Sequence, residues 1–200
     1  MQAVKLAGLE PANVFSYFEK ICSIPHGSRN TKMISDYLVS FAQEHGIRYV
    51  QDELNNVVMF QEGTCGYEDH EPVILQGHMD MVCEKDEDCP INMDTDGLDV
   101  THDGNYVFAK GTTLGGDDGI AIAMALAILE DNTLAHPPIE ALFTTDEETG
   151  MYTILVEGLA ANTLEVDCFY AAVNASFYDE LGDRMDCYSS QSIKRIRAGE

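Results

Sequence analysis

Residues 119–150 read GIAIAMALAILEDNTLAHPPIEALFTTDEETG, and this stretch decides the fold class. Gly119–Glu130 is apolar almost all round, which predicts a helix covered on most of its sides, with Asp117 or Asp118 close to its positive end. His136-Pro137-Pro138 ends that unit. Ile139–Thr144 then reads as a core strand that delivers Asp146-Glu147-Glu148-Thr149-Gly150 at its C-terminal end.

Working towards the N-terminus, the same grammar repeats. Val73–Gln76 is a short strand candidate that leads into GHMDM, residues 77–81. A hairpin excursion near Tyr106–Ala109 precedes TTLGGDDG, residues 112–119. Ile47–Val50 and Asn56–Phe60 read as strands joined by a polar turn. Thr31–His45 repeats apolar Ile34, Tyr37, Leu38, Phe41 and Ala42 at helical spacing, and Gly46 supplies the stop. Pro11–Ile21 is a further helix, with Val14, Phe18 and Ile21 on one side, broken by Pro25-His26-Gly27-Ser28. The first ten residues read as a loose end. Val166–Val173 is a strand candidate, the tail from Asn174 has no clear pattern, and Lys194, Arg195 and Arg197 mark a fraying basic end. Alternating helices and short apolar strands predict an α/β sheet protein, in which ligand groups gather at the carboxyl ends of strands. The polar clusters occupy such positions.

The 200 residues include 35 acids against 11 Lys plus Arg, a net charge of -24. A chain this negative repels phosphate and lacks a basic face, which argues against nucleic acid and anionic membrane surfaces as partners. Hydrophobic residues make up 45 %, enough for a sizeable core. No window is long and apolar enough to span a bilayer, and the first residues lack the features of a signal peptide, so a cytoplasmic location is expected. Six scattered cysteines without a CxxC pair are expected to stay reduced.

Three clusters carry the chemistry. In His78-Met79-Asp80, the imidazole suits a borderline metal, and the carboxylate can fix its tautomer. Asp117 and Asp118 either bridge cations or simply complement a helix dipole. They do not form a phosphate loop, because the GxxxxGK[ST] pattern is missing. In Asp146-Glu147-Glu148, one glutamate can hold metal while its neighbour faces a water, a division of labour that suits hydrolysis.

ICSIPHGS (21–28), GHMDMV (77–82), KGTTLGGDDGIA (110–121) and TTDEETGM (144–151), taken together, resemble the M20 zinc peptidases, especially the cytosolic dipeptidases that act on Xaa-His and other dipeptides. The order matches, as do the separations of 39 residues from His78 to Asp117 and 30 from Asp117 to Glu147. The resemblance implies a zinc-peptidase-like α/β catalytic domain, here incomplete, with a central mixed sheet flanked by helices. It implies two divalent metal ions, zinc first with manganese or cobalt as alternatives. His78 is then a ligand of one ion, Glu148 of the other, and Asp117 bridges them. Asp118 is the lesser choice. Asp80 orients His78, and Glu147 is the general base. The substrate is a dipeptide with a free N-terminus.

The resemblance also sets limits. Family members are more than twice this length and dimerise through a second domain without a counterpart here. A further family Asp is expected near Ala171, where the sequence reads CFYAAVNASFYDE, with Asp167 and Asp179 the nearest acids. No His follows His136. Residues 11–151 are therefore expected to be the N-terminal part of an M20-like catalytic domain, and residues 152–200 a divergent or frame-shifted tail. Two alternatives accompany the dipeptidase reading: an inactive metal-binding or interaction protein, and an M20-like acyl-amino-acid amidohydrolase.

Overall fold

Two parallel strands that end side by side organise the protein. A computed structural model describes residues 5–149, 173–178 and 184–190. The chain divides into two units, Met1–Met151 and Tyr152–Glu200.

The first unit runs α1 (Ala12–Cys22), α2 (Lys32–Glu44), β1 (Arg48–Gln51), β2 (Val57–Gln61), β3 (Val73–His78), β4 (Val100–His102), β5 (Val107–Ala109), α3 (Gly116–Glu130) and β6 (Ile139–Thr144). A 3-10 turn at Glu147–Thr149 follows. The main sheet has the order β1-β2-β6-β3. β1 pairs with β2, and β2 with β6, in antiparallel fashion, whereas β3 and β6 are parallel. The sheet is therefore mixed and flanked by helices, as expected. A parallel pair needs a crossover, and α3 lies within the one between β3 and β6. The register sets His78 beside Thr144, so GHMDM and DEETG emerge together at one edge.

The core lies on one face of this sheet. Val57 pairs with Phe143 and Met59 with Ala141, and all four are fully buried. Against them pack Phe18 and Ile21 of α1, Ile34 and Leu38 of α2, and Ile122 and Leu126 of α3. Burial of each large apolar side chain stabilises by about 1.5–3 kcal/mol. The opposite face carries Val58, Phe60, Ile74 and Leu142, all half-buried. There the Arg48 guanidinium lies 4.0 Å from the centre of the Phe60 ring. From Gly119 to Glu130, α3 has the expected cover except at Met124, which is 52 % exposed.

α2 stops at Gly46 for the anticipated reason. Gly46 takes φ +67°, and its N–H donates to the Gln43 carbonyl at 3.3 Å. The next N–H, of Ile47, reaches back to the Ala42 carbonyl at 2.8 Å. This pair of bonds is a Schellman cap, which favours glycine.

The N-terminal expectation needs correction over residues 5–9. The Glu19 carboxylate accepts the backbone N–H groups of Lys5 and Leu6 at 3.0 and 2.8 Å. Leu6 is buried in the core, and Lys5 pairs with Asp99. A buried leucine and a carboxylate aimed at two amides tie this segment down.

In the second unit, β7 (Val173–Tyr178) and β8 (Arg184–Ser190) form an antiparallel pair, a regularity the tail reading missed. The Val166–Val173 strand candidate lies outside the described residues except for Val173, as do Lys194, Arg195 and Arg197. Among the described residues, no helix is long and apolar enough to cross a membrane, and Cys22, Cys65, Cys83 and Cys89 are free thiols.

Candidate metal centre

His78 is the last residue of β3 and is buried. Its Nδ1 lies 3.0 Å from the Asp80 carbonyl oxygen and 3.5 Å from Asp80 Oδ1. A carbonyl only accepts, so Nδ1 carries a proton, and Nε2 is the nitrogen that would offer its lone pair to an ion once its own proton is gone. Nε2 lies 3.1 Å from Asp117 Oδ1. Burial is the largest single influence on the imidazole and pushes its pKa down. The Asp117 hydrogen bond, Asp80 and Asp118 together outweigh it, leaving the group above its ordinary value. The surroundings of His78 thus favour positive charge.

Asp117 and Asp118 open α3 with non-helical dihedrals, and the peptide between them is cis. Gly115 precedes them at φ +68°, and a Cβ there would stand 2.8 Å from Met81 Sδ. Only glycine enters this turn without displacing Met81. The Asp117 side chain is 88 % exposed. Asp118 is half-buried, and burial raises its carboxyl pKa; His78 opposes this, while Asp117 and Glu147 add to it.

Asp80 joins the clusters. Its side chain is fully buried. Oδ1 accepts the Glu147 N–H at 3.0 Å, and Oδ2 accepts the Glu148 N–H at 3.2 Å. The Ser28 hydroxyl donates to the same Oδ2 at 2.7 Å. Two successive amides at the start of a 3-10 turn suit a carboxylate, which is acceptor-only. The Glu147 side chain is exposed and that of Glu148 half-buried.

Donor atoms of His78, Asp117 and Glu148 all lie within 4.8 Å of one another. Two donors on one divalent transition-metal ion, with bonds of about 2.0–2.2 Å, stand roughly 3–3.5 Å apart. The 3.1 Å between His78 Nε2 and Asp117 Oδ1 fits that spacing. One neutral imidazole nitrogen and two carboxylates also suit such an ion chemically. Asp80 stands behind His78 and not within this set, and Glu147 is held beside Glu148 by the same carboxylate.

Ser28 has no role assigned from its residue type, although it lies inside the quoted ICSIPHGS segment. The neighbouring Arg29 N–H donates to Asp146 Oδ1 at 2.5 Å. His26 is buried, with Nδ1 2.5 Å from the Ile24 carbonyl. Asp167, Ala171 and Asp179 lie outside the described residues.

Residues 74–187 match the model of peptidase family M20/M25/M40, a stretch that extends past Met151. The chain is 40 % identical over 163 residues to the cytosol non-specific dipeptidase of Escherichia coli (strain K12), which covers 82 % of this chain and 33 % of that protein. It superposes on aminoacylhistidine dipeptidase from Vibrio alginolyticus with a TM-score of 0.72 and 40 % identity, over 80 % of this chain and 33 % of the other. A tripeptidase from Staphylococcus aureus shares the fold at a TM-score of 0.56 and 22 % identity, over 69 % of this chain and 37 % of the other. The chain thus spans about a third of the length of its two 40 % identical relatives. Matched over more than half its length, and through the segment that carries His78, Asp117 and Glu148, this chain belongs to peptidase family M20/M25/M40.

Proposed function

We propose that the chain supplies part of the catalytic centre of a cytoplasmic metallodipeptidase that cleaves dipeptides with a free N-terminus, Xaa-His among them. The observation that carries this reading is the convergence of His78, Asp117 and Glu148 within 4.8 Å, with Asp80 bonded behind them to the Glu147–Glu148 turn. The family relationship and the dipeptidase relatives supply the reaction class.

In this reading His78 would hold one divalent ion and Glu148 a second, with Asp117 contributing to both, and zinc would be preferred over manganese or cobalt. Such ions, when bound, lower the pKa of water and polarise a carbonyl. Glu147 does the proton work. Its carboxylate is exposed on a turn whose amides are fixed, so it can meet a water at the substrate carbonyl. It takes the proton of the attacking water and passes it to the amine nitrogen as the C–N bond breaks. Asp80 positions both partners, through His78 Nδ1 on one side and the two glutamate amides on the other. Residues 11–151 constitute the N-terminal part of the catalytic domain.

Purified chain supplied with zinc, manganese or cobalt tests this on Xaa-His and mixed dipeptides. The expected result is metal binding that persists in Glu147→Gln, with whatever turnover the unmodified chain shows reduced by about 100-fold or more in that variant. Metal binding without hydrolysis in the unmodified chain would instead establish a metal-binding protein, and turnover unaffected by Glu147→Gln would remove Glu147 as the base.

A further inference from the structure

Residues 26–30 form a loop fastened to the segment after β3. The Met81 N–H donates to the His26 carbonyl at 3.1 Å, and Gly27 bridges to Met81 in parallel. The Asn30 N–H closes the loop on the Gly27 carbonyl at 2.8 Å, and its side-chain amide donates to the Asp94 carbonyl at 3.0 Å. So anchored, the loop presents two adjacent donors. The Ser28 hydroxyl reaches Asp80 Oδ2, and the Arg29 N–H, at φ +65°, reaches Asp146 Oδ1. Asp80 accepts the amides of Glu147 and Glu148, and Asp146 immediately precedes them in sequence.

We propose that Ser28 is a positioning residue of the metal centre: with Arg29 it forms a clasp that holds the Glu147–Glu148 turn against His78 through Asp80. The inference rests on the metal-centre reading and adds a residue to it. The chain of contacts is short. Ser28 gives Asp80 Oδ2 its shortest hydrogen bond, 2.7 Å against 3.2 Å from the Glu148 N–H on the same oxygen. A buried carboxylate must keep its donors. Without the hydroxyl, Asp80 is free to reorient towards its remaining donors, and the turn that carries Glu148 moves with it. Distance between Glu148 and His78 is then no longer fixed from behind.

The test compares unmodified chain, Ser28→Ala and Ser28→Thr, with thermal unfolding as a check on folding. Cobalt titration followed by its visible absorption gives affinity and ligand geometry. Ser28→Ala is expected to weaken cobalt binding by about 10- to 100-fold and to alter the band, as loss of a group supporting a metal ligand does. Ser28→Thr, which keeps the hydroxyl, is expected to restore both. Amide exchange of Glu147 and Glu148 in metal-free protein supplies an independent reading, with about 10-fold faster exchange expected in Ser28→Ala and not in Ser28→Thr. Unaltered exchange at both amides would overturn the clasp, and so would a threonine variant that behaves like alanine. Cobalt that fails to bind the unmodified chain would refute the metal-centre reading, and the exchange measurement would still decide the role of Ser28.

Discussion

Asp80→Asn is nearly isosteric, so it isolates hydrogen-bond chemistry from packing. The native side chain is fully buried and accepts three donors: the Glu147 N–H at 3.0 Å, the Glu148 N–H at 3.2 Å and the Ser28 hydroxyl at 2.7 Å. A carboxamide keeps one acceptor oxygen and turns the other position into a donor. Whichever way it is placed, its NH2 group faces at least one backbone N–H. The lost bond to a charged group costs about 1.5–3 kcal/mol. Removing a buried charge also relieves some desolvation, but that relief accrues mainly when well-packed apolar groups replace the whole network, and here the opposing amides stay in place. At about 2–4 °C per kcal/mol for a chain of this length, Tm should fall by roughly 3–12 °C. Circular dichroism melts of the metal-free chain measure this directly. The carboxamide also turns the wrong dipole towards the Glu147–Glu148 turn, so cobalt affinity should fall in parallel. A variant with native Tm and native cobalt affinity would show that the three bonds to Asp80 do not position the centre.

His26 makes a pH prediction. Burial, opposed by the Ile24 carbonyl and the Asp80 charge, holds its pKa below the ordinary value of 6.5. The unfolded chain therefore binds a proton that the folded chain refuses, so this residue's contribution is intact above about pH 6.5 and is lost as pH falls below it. His78, whose folded pKa is raised, contributes with the opposite sign: its stabilisation is present at low pH and fades as pH rises through that raised value. Urea unfolding at several pH values between about 5 and 7 should give His26→Gln a shallower acid-side loss than the unmodified chain, by up to about 1.4 kcal/mol per pH unit; equal slopes would contradict the assignment. Gly115→Ala puts a methyl at φ +68°, 2.8 Å from Met81 Sδ. It should cost about 1–2 kcal/mol in urea unfolding and weaken cobalt binding through the displaced Asp117, and native behaviour in both would refute it. Phe143→Ala, at a fully buried site on β6, should cost about 3–5 kcal/mol without changing the residues of the centre.

Local physics made much of this readable in the sequence. The 3.6-residue spacing from Ile34 to Ala42 gives α2, and Gly46 ends it with the cap its flexibility permits. The apolar runs before GHMDM and DEETG become β3 and β6, whose parallel register brings His78 level with Thr144. What stayed hidden depends on partners far away along the chain. Glu19 holds Lys5 and Leu6 only because α1 places its carboxylate beside them. Ser28 meets Asp80 across 52 residues, and nothing in the residue type Ser announces that pairing. β7, by contrast, is legible locally: apolar Val173, Ala175 and Phe177 alternate with Asn174 and Ser176, the two-residue period of a strand. The start of α3 also departs from helix dihedrals at Asp117 and Asp118, which a pattern of acids near a helix terminus does not reveal.

The central claim is that His78, Asp117 and Glu148 form one divalent-metal centre. Calorimetric zinc titration of the metal-free chain, repeated on His78→Ala, Asp117→Asn and Glu148→Gln, tests it most directly. Saturable binding, weakened in all three variants and most in Asp117→Asn if that carboxylate serves both ions as proposed, is the predicted result. Zinc binding of native strength in any of the three would contradict the account.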